Sequence, residues 1–107
     1  MVRQRYMVHN DVMGMVAEGR WYASLFLTHV GHEEWRMADR LYQAAACCAA
    51  EHELMWKVWE VTGGPGYSDE HAKKLADCEA RRQIASLILR AREKDAQAAA
   101  EIERALQ

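Results

Sequence analysis

Apolar residues recur with helical spacing along nearly the whole chain. At 100° per residue, one stripe of the first segment collects Val8, Val12, Met15, Val16, Gly19, Tyr22, Ala23, Phe26 and Val30. No segment alternates apolar and polar residues as a half-buried strand does. Gly31 and the glycine-rich segment 62–68 interrupt the pattern. The pattern therefore predicts an all-α protein with helices over about 8–30, 32–61 and 69–106, and with a loop over 62–68.

The second predicted helix carries the seam of an antiparallel bundle. Its seam residues follow spacings of three and four, and they are Trp35, Ala38, Tyr42, Ala45, Ala49, His52, Trp56 and Trp59. Residues 44–50 have only small side chains, so another helix can approach closely there. We interpret residues 1–107 as a single domain that forms a three-helix antiparallel bundle.

The third predicted helix is the longest. Ser68 is a suitable N-cap, and Asp69 and Glu70 place negative charge in the first turn, where it complements the helix dipole. At 1.5 Å per residue the helix would span about 57 Å, against roughly 45 Å for the second, so its C-terminal part is expected to extend beyond its neighbours. Because an extended helix and spare apolar faces favour covering by a second copy, we predict a homodimer.

Charge and cysteine content narrow the class of protein. The 107 residues include 14 Lys and Arg against 16 Asp and Glu, a net charge of −2. Nucleic-acid binding is not expected, because phosphate neutralisation needs a basic face. Cys47, Cys48 and Cys78 show no C-x-x-C spacing, which favours a reducing compartment. No apolar run reaches about 18 residues, so we expect a cytoplasmic protein without a membrane span or signal peptide.

Histidine, cysteine and carboxylate side chains suggest a metal site. If the chain reverses at Gly31 and near residue 65, His52 lies level with residue 10 and with Cys78. The candidate ligands of zinc or another transition metal in that layer are His9, Glu51, His52, Cys78 and Glu79, with Asp11 beside them. The alternative is a buried histidine hydrogen-bonded to one carboxylate, with Cys78 packed as a small apolar residue.

Glu18, the Gly31 turn and Glu51-His52 resemble the ligand pattern of ferritin-like di-iron bundles over residues 18–56. The resemblance implies iron held between helices. Ala49 stands three residues before His52, so the Glu-x-x-His pair of such bundles is absent. In the predicted register Glu18 also lies level with Ala44, roughly 10 Å from the level of Glu51.

Eight of the nine aromatic residues precede residue 60. Tyr42, His52, Trp56 and Trp59 share one face of the second helix and are the candidate lining of a pocket for a flat or cationic small molecule. The alternative is that these rings only form the core. Because no nucleophile triad or phosphate-binding loop is present, no catalytic residue is predicted and enzymatic activity stays open. We predict a function by dimerisation and by binding a protein or small apolar ligand, with a metal-binding bundle as the alternative.

Overall fold

The computed structural model describes residues 2–64 and 68–107, and this part of the chain is all-α, as predicted. It contains four α-helices, which are α1 (Val2–Glu33), α2 (Ala38–Thr62), α3 (Asp69–Ala76) and α4 (Cys78–Ala105). A short 3-10 helix, Trp35–Met37, joins α1 to α2. No helix in the described ranges is both long and apolar enough to cross a membrane.

The first chain reversal lies after Gly31, so the predicted end of the first helix is wrong. α1 continues through Gly31 to Glu33, and Glu34 leaves the helical region with φ −116° and ψ 78°. Gly31 serves a different purpose, because a Cβ there would lie 2.5 Å from Cε1 of Tyr42. The missing side chain admits the Tyr42 ring rather than a turn.

The third predicted helix is divided in two at Asp77, where the backbone is extended with φ −69° and ψ 133°. Ser68 caps α3, as predicted, and its Oγ accepts from the backbone N–H of His71 at 3.1 Å. Asp77 caps α4 in the same way, because its carboxylate accepts from the N–H of Ala80 at 3.0 Å. A continuous helix over 69–106 is therefore wrong, and the second cap explains the break.

Tyr6 joins the first turns of α1 to α3. Its side chain is fully buried, and its hydroxyl lies 3.3 Å from Nδ1 of His71 and 3.5 Å from the carbonyl of Gly64. Gly63 ends α2 in the left-handed region at φ +110°, and a Cβ on it would meet the ring of His71 at 2.6 Å. Glycine at position 63 is thus required both by the helix end and by the packing of α3.

α2 lies between α1 and α4 and packs along both. The apolar core is divided into two clusters, one around Val58 and Ile84 and the other around Leu41 and Ala98. Ala44, Ala45 and Cys48 of the small-residue segment lie in the second cluster, so the helices that cross there are α1 and α4 of the same chain.

The C-terminal part of α4 does not extend beyond its neighbours, which corrects the predicted overhang. Ile102 and Ala105 pack against the second apolar cluster, beside Met37 at the beginning of α2. Arg40 of α2 also pairs with Glu101 of α4 at 3.1 Å. Because α3 takes up the first turns of the predicted long helix, α4 matches α2 in length.

Candidate functional site

Because the chain reverses at residues 34–37 rather than at Gly31, different residues of α1 and α2 lie opposite each other. His52 contacts the carbonyl of Ala17, with Nδ1 at 2.7 Å from the oxygen, rather than lying beside residue 10. Gly14 lies level with Trp59 in the same register. The predicted pairing of His52 with residue 10 is therefore wrong, because the chain turns at 34–37 and not at Gly31.

The corrected register forms a pocket between α1 and α2, which we name the aromatic pocket. It has a volume of about 350 Å³ and is lined by Gly14, Ala17, Glu18, Trp21, Tyr22, His52, Trp56 and Trp59. This volume lies near the lower end of the roughly 300–1,000 Å³ range of small-molecule sites. Three of the four predicted pocket residues, His52, Trp56 and Trp59, thus come together, and α1 supplies the opposite wall.

His52 is fixed at the base of the pocket by two hydrogen bonds. Since a carbonyl only accepts, Nδ1 of His52 donates its proton to the oxygen of Ala17. Nε2 in turn accepts from the indole N–H of Trp56 at 3.1 Å. The two partners assign a neutral imidazole with its proton on Nδ1. Neither ring nitrogen keeps a lone pair for a metal ion.

The rings of the pocket meet mostly edge to face. Trp56 and Trp59 have centroids 4.8 Å apart at 72°, and the ring of Trp21 lies 5.3 Å from that of His52 at 39°. Edge-to-face pairs are favoured by the ring quadrupole, because the positive edge of one ring lies against the negative face of the other. Trp59 is nine-tenths buried, and its indole N–H has no acceptor in the described part of the chain. Trp21 and Trp56 are partly exposed at the opening.

The absence of a side chain at Gly14 lets the ring of Trp59 pack against α1. A Cβ on Gly14 would lie 3.1 Å from Cζ2 of the Trp59 ring, closer than ordinary van der Waals contact. The indole is therefore pressed against the backbone of α1, and any side chain at position 14 would displace it into the pocket or the core.

Tyr42, the fourth predicted pocket residue, lies at the other end of α2. Its hydroxyl is 3.3 Å from Nδ1 of His32, and its ring covers Gly31. Tyr42 is not among the residues that line the aromatic pocket, because the seam of α2 changes neighbours along its length. It closes the reversal between α1 and α2 instead.

The predicted metal ligands do not come together. Glu51 pairs with Arg20, Cys78 is exposed at the beginning of α4, and Glu79 lies 3.8 Å from Arg82. The ring of His9 lies 6.1 Å from that of Tyr6, tilted by 39°, and burial lowers the pKa of its imidazole. Asp11 is exposed, and no group of three or more His, Cys, Asp or Glu residues is placed to hold a metal within the described ranges.

Arg20, Glu51 and Asp95 form a polar layer between the two apolar clusters. The Nε atom of Arg20 lies 3.0 Å from Oε2 of Glu51 and 3.0 Å from Oδ1 of Asp95. Burial raises the pKa of Glu51 to about 7, and a hydrogen bond with Asp95 adds to the shift while Arg20 opposes it. Burial also raises the pKa of the neighbouring Cys48 thiol, which keeps that thiol unreactive.

All five pocket residues on α1 were outside the sequence prediction, and they are Gly14, Ala17, Glu18, Trp21 and Tyr22. Trp21 lies away from the main apolar stripe of α1, and an off-stripe tryptophan was the signal that a second face of this helix is used. Glu18 lies near the level of His52 once the reversal is placed correctly, so its predicted level beside Ala44 is wrong.

Comparisons of this chain with protein-family models, with curated protein sequences and with solved structures give no match. The function is therefore inferred from the geometry of the aromatic pocket.

Proposed function

We propose that this protein binds a small organic cation with an apolar or aromatic body in the aromatic pocket. The observation that carries the proposal is the meeting of Trp21, Tyr22, Trp56 and Trp59 around about 350 Å³ of open space. Indole and phenol faces attract both flat apolar groups and cations. Several aromatic side chains around one pocket bind a quaternary or substituted ammonium group more tightly than a single aromatic side chain does.

The charges around the pocket favour a cation over an anion. Among the described residues that line it, Glu18 is the one charged side chain, and no Lys or Arg is present. Nε2 of His52 accepts from the indole N–H of Trp56, so it presents no donor to an anion. A cation would gain from the Glu18 carboxylate as well as from the ring faces, whereas an anion would be repelled by both.

We further propose that the protein works as a homodimer in the cytoplasm. Exposed apolar side chains on α1, which include Val8, Met15 and Phe26, support a covering partner. The cysteines Cys47, Cys48 and Cys78 are all free, and the exposed Cys78 thiol suits a reducing compartment. The small molecule binds in the aromatic pocket, and a second copy covers the exposed apolar face of α1. Tyr22 belongs to both surfaces.

The test uses phenyltrimethylammonium and its uncharged isostere tert-butylbenzene as probes. We expect the cation to shift the indole N–H resonances of Trp21 and Trp56 in ¹H–¹⁵N spectra, and to bind at least about tenfold more tightly than the isostere. Glu18→Gln should reduce this preference, and Trp21→Ala should weaken both probes. Trp35→Ala is the matched control, because Trp35 is 78% exposed and lies outside the pocket.

Two outcomes would contradict the proposal. Equal binding of both probes would remove the cation preference, and shifts confined to Trp35 would place binding outside the aromatic pocket. Circular dichroism of each variant checks that a loss of binding does not come from a loss of helix.

A further inference from the structure

An exposed apolar stripe runs along α1 on the side away from the core. We call Val8, Val12, Met15, Gly19, Tyr22 and Phe26 the α1 stripe. Val8 is 63% exposed, Met15 74% and Phe26 64%, although all lie within a helix whose opposite face is packed. Amphipathic helices of single domains normally turn such residues inward. The stripe is therefore a second apolar face that the described part of its own chain leaves largely exposed.

We infer that the α1 stripe binds the same stripe of a second copy, antiparallel and about a two-fold axis, with facing positions whose numbers sum to 34. This inference rests on the homodimer proposed above and specifies its surface and register. Two-fold interfaces require a patch that is complementary to itself. The α1 stripe meets that requirement in both its spacing and its side-chain sizes.

The spacing of the stripe is the same in both directions. Its steps are four, three, four, three and four residues, which is the seam spacing of paired helices. When one copy is reversed on the other, Val8 faces Phe26, Val12 faces Tyr22 and Met15 faces Gly19. The antiparallel pairing thus occupies every position of the stripe on both copies.

The facing side chains also match in size. Each aromatic ring lies opposite a valine, and the long side chain of Met15 lies opposite a residue that has no side chain. A Cβ on Gly19 would meet nothing within 4 Å of the same chain, so a gap is open at this position. Large residues opposite small ones interdigitate, which is how helices approach closely.

The area agrees with a small but specific dimer. Aromatic side chains present about 150–250 Å² each, so the exposed parts of Tyr22 and Phe26 offer on the order of 250 Å². With the three aliphatic residues the stripe exposes on the order of 500 Å² per copy. Its complete burial would remove about 1,000 Å² in total from water, which is the lower limit for a specific interface.

Charge modulates the pairing on one flank. Glu18 lies beside the stripe, and near the two-fold axis its counterpart in the second copy lies on the same flank. Like charges at this separation oppose association. We therefore expect Glu18→Gln to strengthen dimerisation, and added salt to strengthen it in the parent protein by screening.

Gly19→Leu separates this interface from simple hydrophobic association. Leucine is a better helix former than glycine and finds open space in the isolated chain, so thermal stability of the monomer should rise. If Met15 of the second copy occupies the gap, the new side chain collides with it, and the dimer dissociation constant should rise at least about tenfold. Non-specific association would be strengthened by the added apolar residue instead.

Sedimentation equilibrium over roughly 1–100 µM protein measures the dissociation constant. Met15→Asp should also weaken the dimer, whereas Leu89→Asp is the control, because Leu89 is 57% exposed on α4 and lies outside the stripe. Unchanged or tighter association of Gly19→Leu would overturn the inferred packing. Loss of association in Leu89→Asp would place the interface on α4.

Disulfide trapping tests the register. In a chain with Cys47→Ser and Cys78→Ser, the pair Val12→Cys with Tyr22→Cys should form an intermolecular disulfide, because these positions face each other only in the antiparallel arrangement. Val12→Cys alone should remain reduced. A disulfide of Val12→Cys alone would indicate parallel helices and would overturn the register.

The failure of this inference is distinguishable from failure of the proposed function. A chain that stays monomeric at all concentrations contradicts both the homodimer and its register. A parent dimer that Gly19→Leu does not weaken contradicts the register alone. Gly19 does not line the aromatic pocket, but Tyr22 belongs to both surfaces. Binding of phenyltrimethylammonium is therefore compared at a protein concentration at which the parent and Gly19→Leu are both monomeric, and there the two should bind it equally.

Discussion

Arg20 of α1 pairs with both Glu51 of α2 and Asp95 of α4, and its Nε atom lies 3.0 Å from one carboxylate oxygen of each. One residue from each long helix thus meets in the polar layer, and the apolar clusters lie on either side of it. Burial and the neighbouring carboxyl group of Asp95 both raise the pKa of Glu51, so they favour a proton on this side chain. The layer therefore couples helix packing to pH.

Glu51→Gln should reduce the dependence of stability on pH. The pKa of Glu51 is about 7 in the folded chain and near 4.5 when unperturbed, so the protonated form is favoured by folding. This contribution is fully present below about pH 4.5 and is lost as pH rises through 7. We expect the parent to lose on the order of 2 kcal/mol relative to Glu51→Gln between pH 5 and 8.

Urea denaturation of both proteins at each pH measures this difference. The lowered pKa of His9 acts in the opposite direction, because burial of the neutral imidazole favours folding at higher pH. Subtracting the free energies of unfolding of the two proteins removes the contribution of His9, since His9 is present in both. A difference that stays constant from pH 5 to 8 would show that Glu51 does not titrate in this range.

The neutral imidazole of His52 should carry its proton on Nδ1. The carbonyl of Ala17 accepts from this nitrogen, and the indole of Trp56 donates to the other. Two-bond ¹H–¹⁵N correlations distinguish the two tautomers. Trp56→Phe removes the indole donor, so the preference of His52 for the tautomer with its proton on Nδ1 should weaken. A proton on Nε2 in the parent would contradict the assigned hydrogen bonds.

Alanine at Gly14 and at Gly19 should have unequal effects. Both changes improve helix propensity by up to about 1 kcal/mol, and Gly19→Ala should realise most of that gain because its Cβ meets nothing. At Gly14 the new Cβ displaces the ring of Trp59, so the gain is reduced or reversed. Thermal unfolding measures the stabilities, and tryptophan fluorescence should change only for Gly14→Ala.

Gly31→Ala should destabilise the protein by about 1–3 kcal/mol, because its Cβ would overlap the ring of Tyr42. Tyr42→Ala removes that ring and also its contact with His32. In the double variant the cost of alanine at position 31 should fall close to zero or become a gain. Additive effects of the two changes in chemical denaturation would show that the two residues do not interact.

Helical periodicity was sufficient to predict the all-α class and the shared face of His52, Trp56 and Trp59, and residue type was sufficient to predict the Ser68 cap. These features depend on spacing or residue type within one segment. The position of the first reversal depended instead on how Gly31 was interpreted, and a glycine can serve a close contact as well as a turn. The contact with Tyr42 is long-range, so no local pattern revealed it.

That one misplacement explains the errors in the candidate site. It set His52 beside residue 10 and suggested a metal layer, whereas the observed register sets His52 beside Ala17 and completes the aromatic pocket. The break at Asp77 likewise moved Cys78 away from His52, since α3 occupies the turns that a continuous helix would have used. The sequence analysis identified His52, Trp56 and Trp59 as pocket residues, but it predicted the wrong contacts for them on the neighbouring helices.

The bond between Tyr6 and His71 joins residues 65 positions apart. α3 has eight residues, too few to be stable as an isolated helix in water. α3 therefore depends on its contact with α1 through Tyr6 for its stability. We expect α3 and the first turns of α1 to open together, so their amide hydrogens should exchange earlier than those around Glu51.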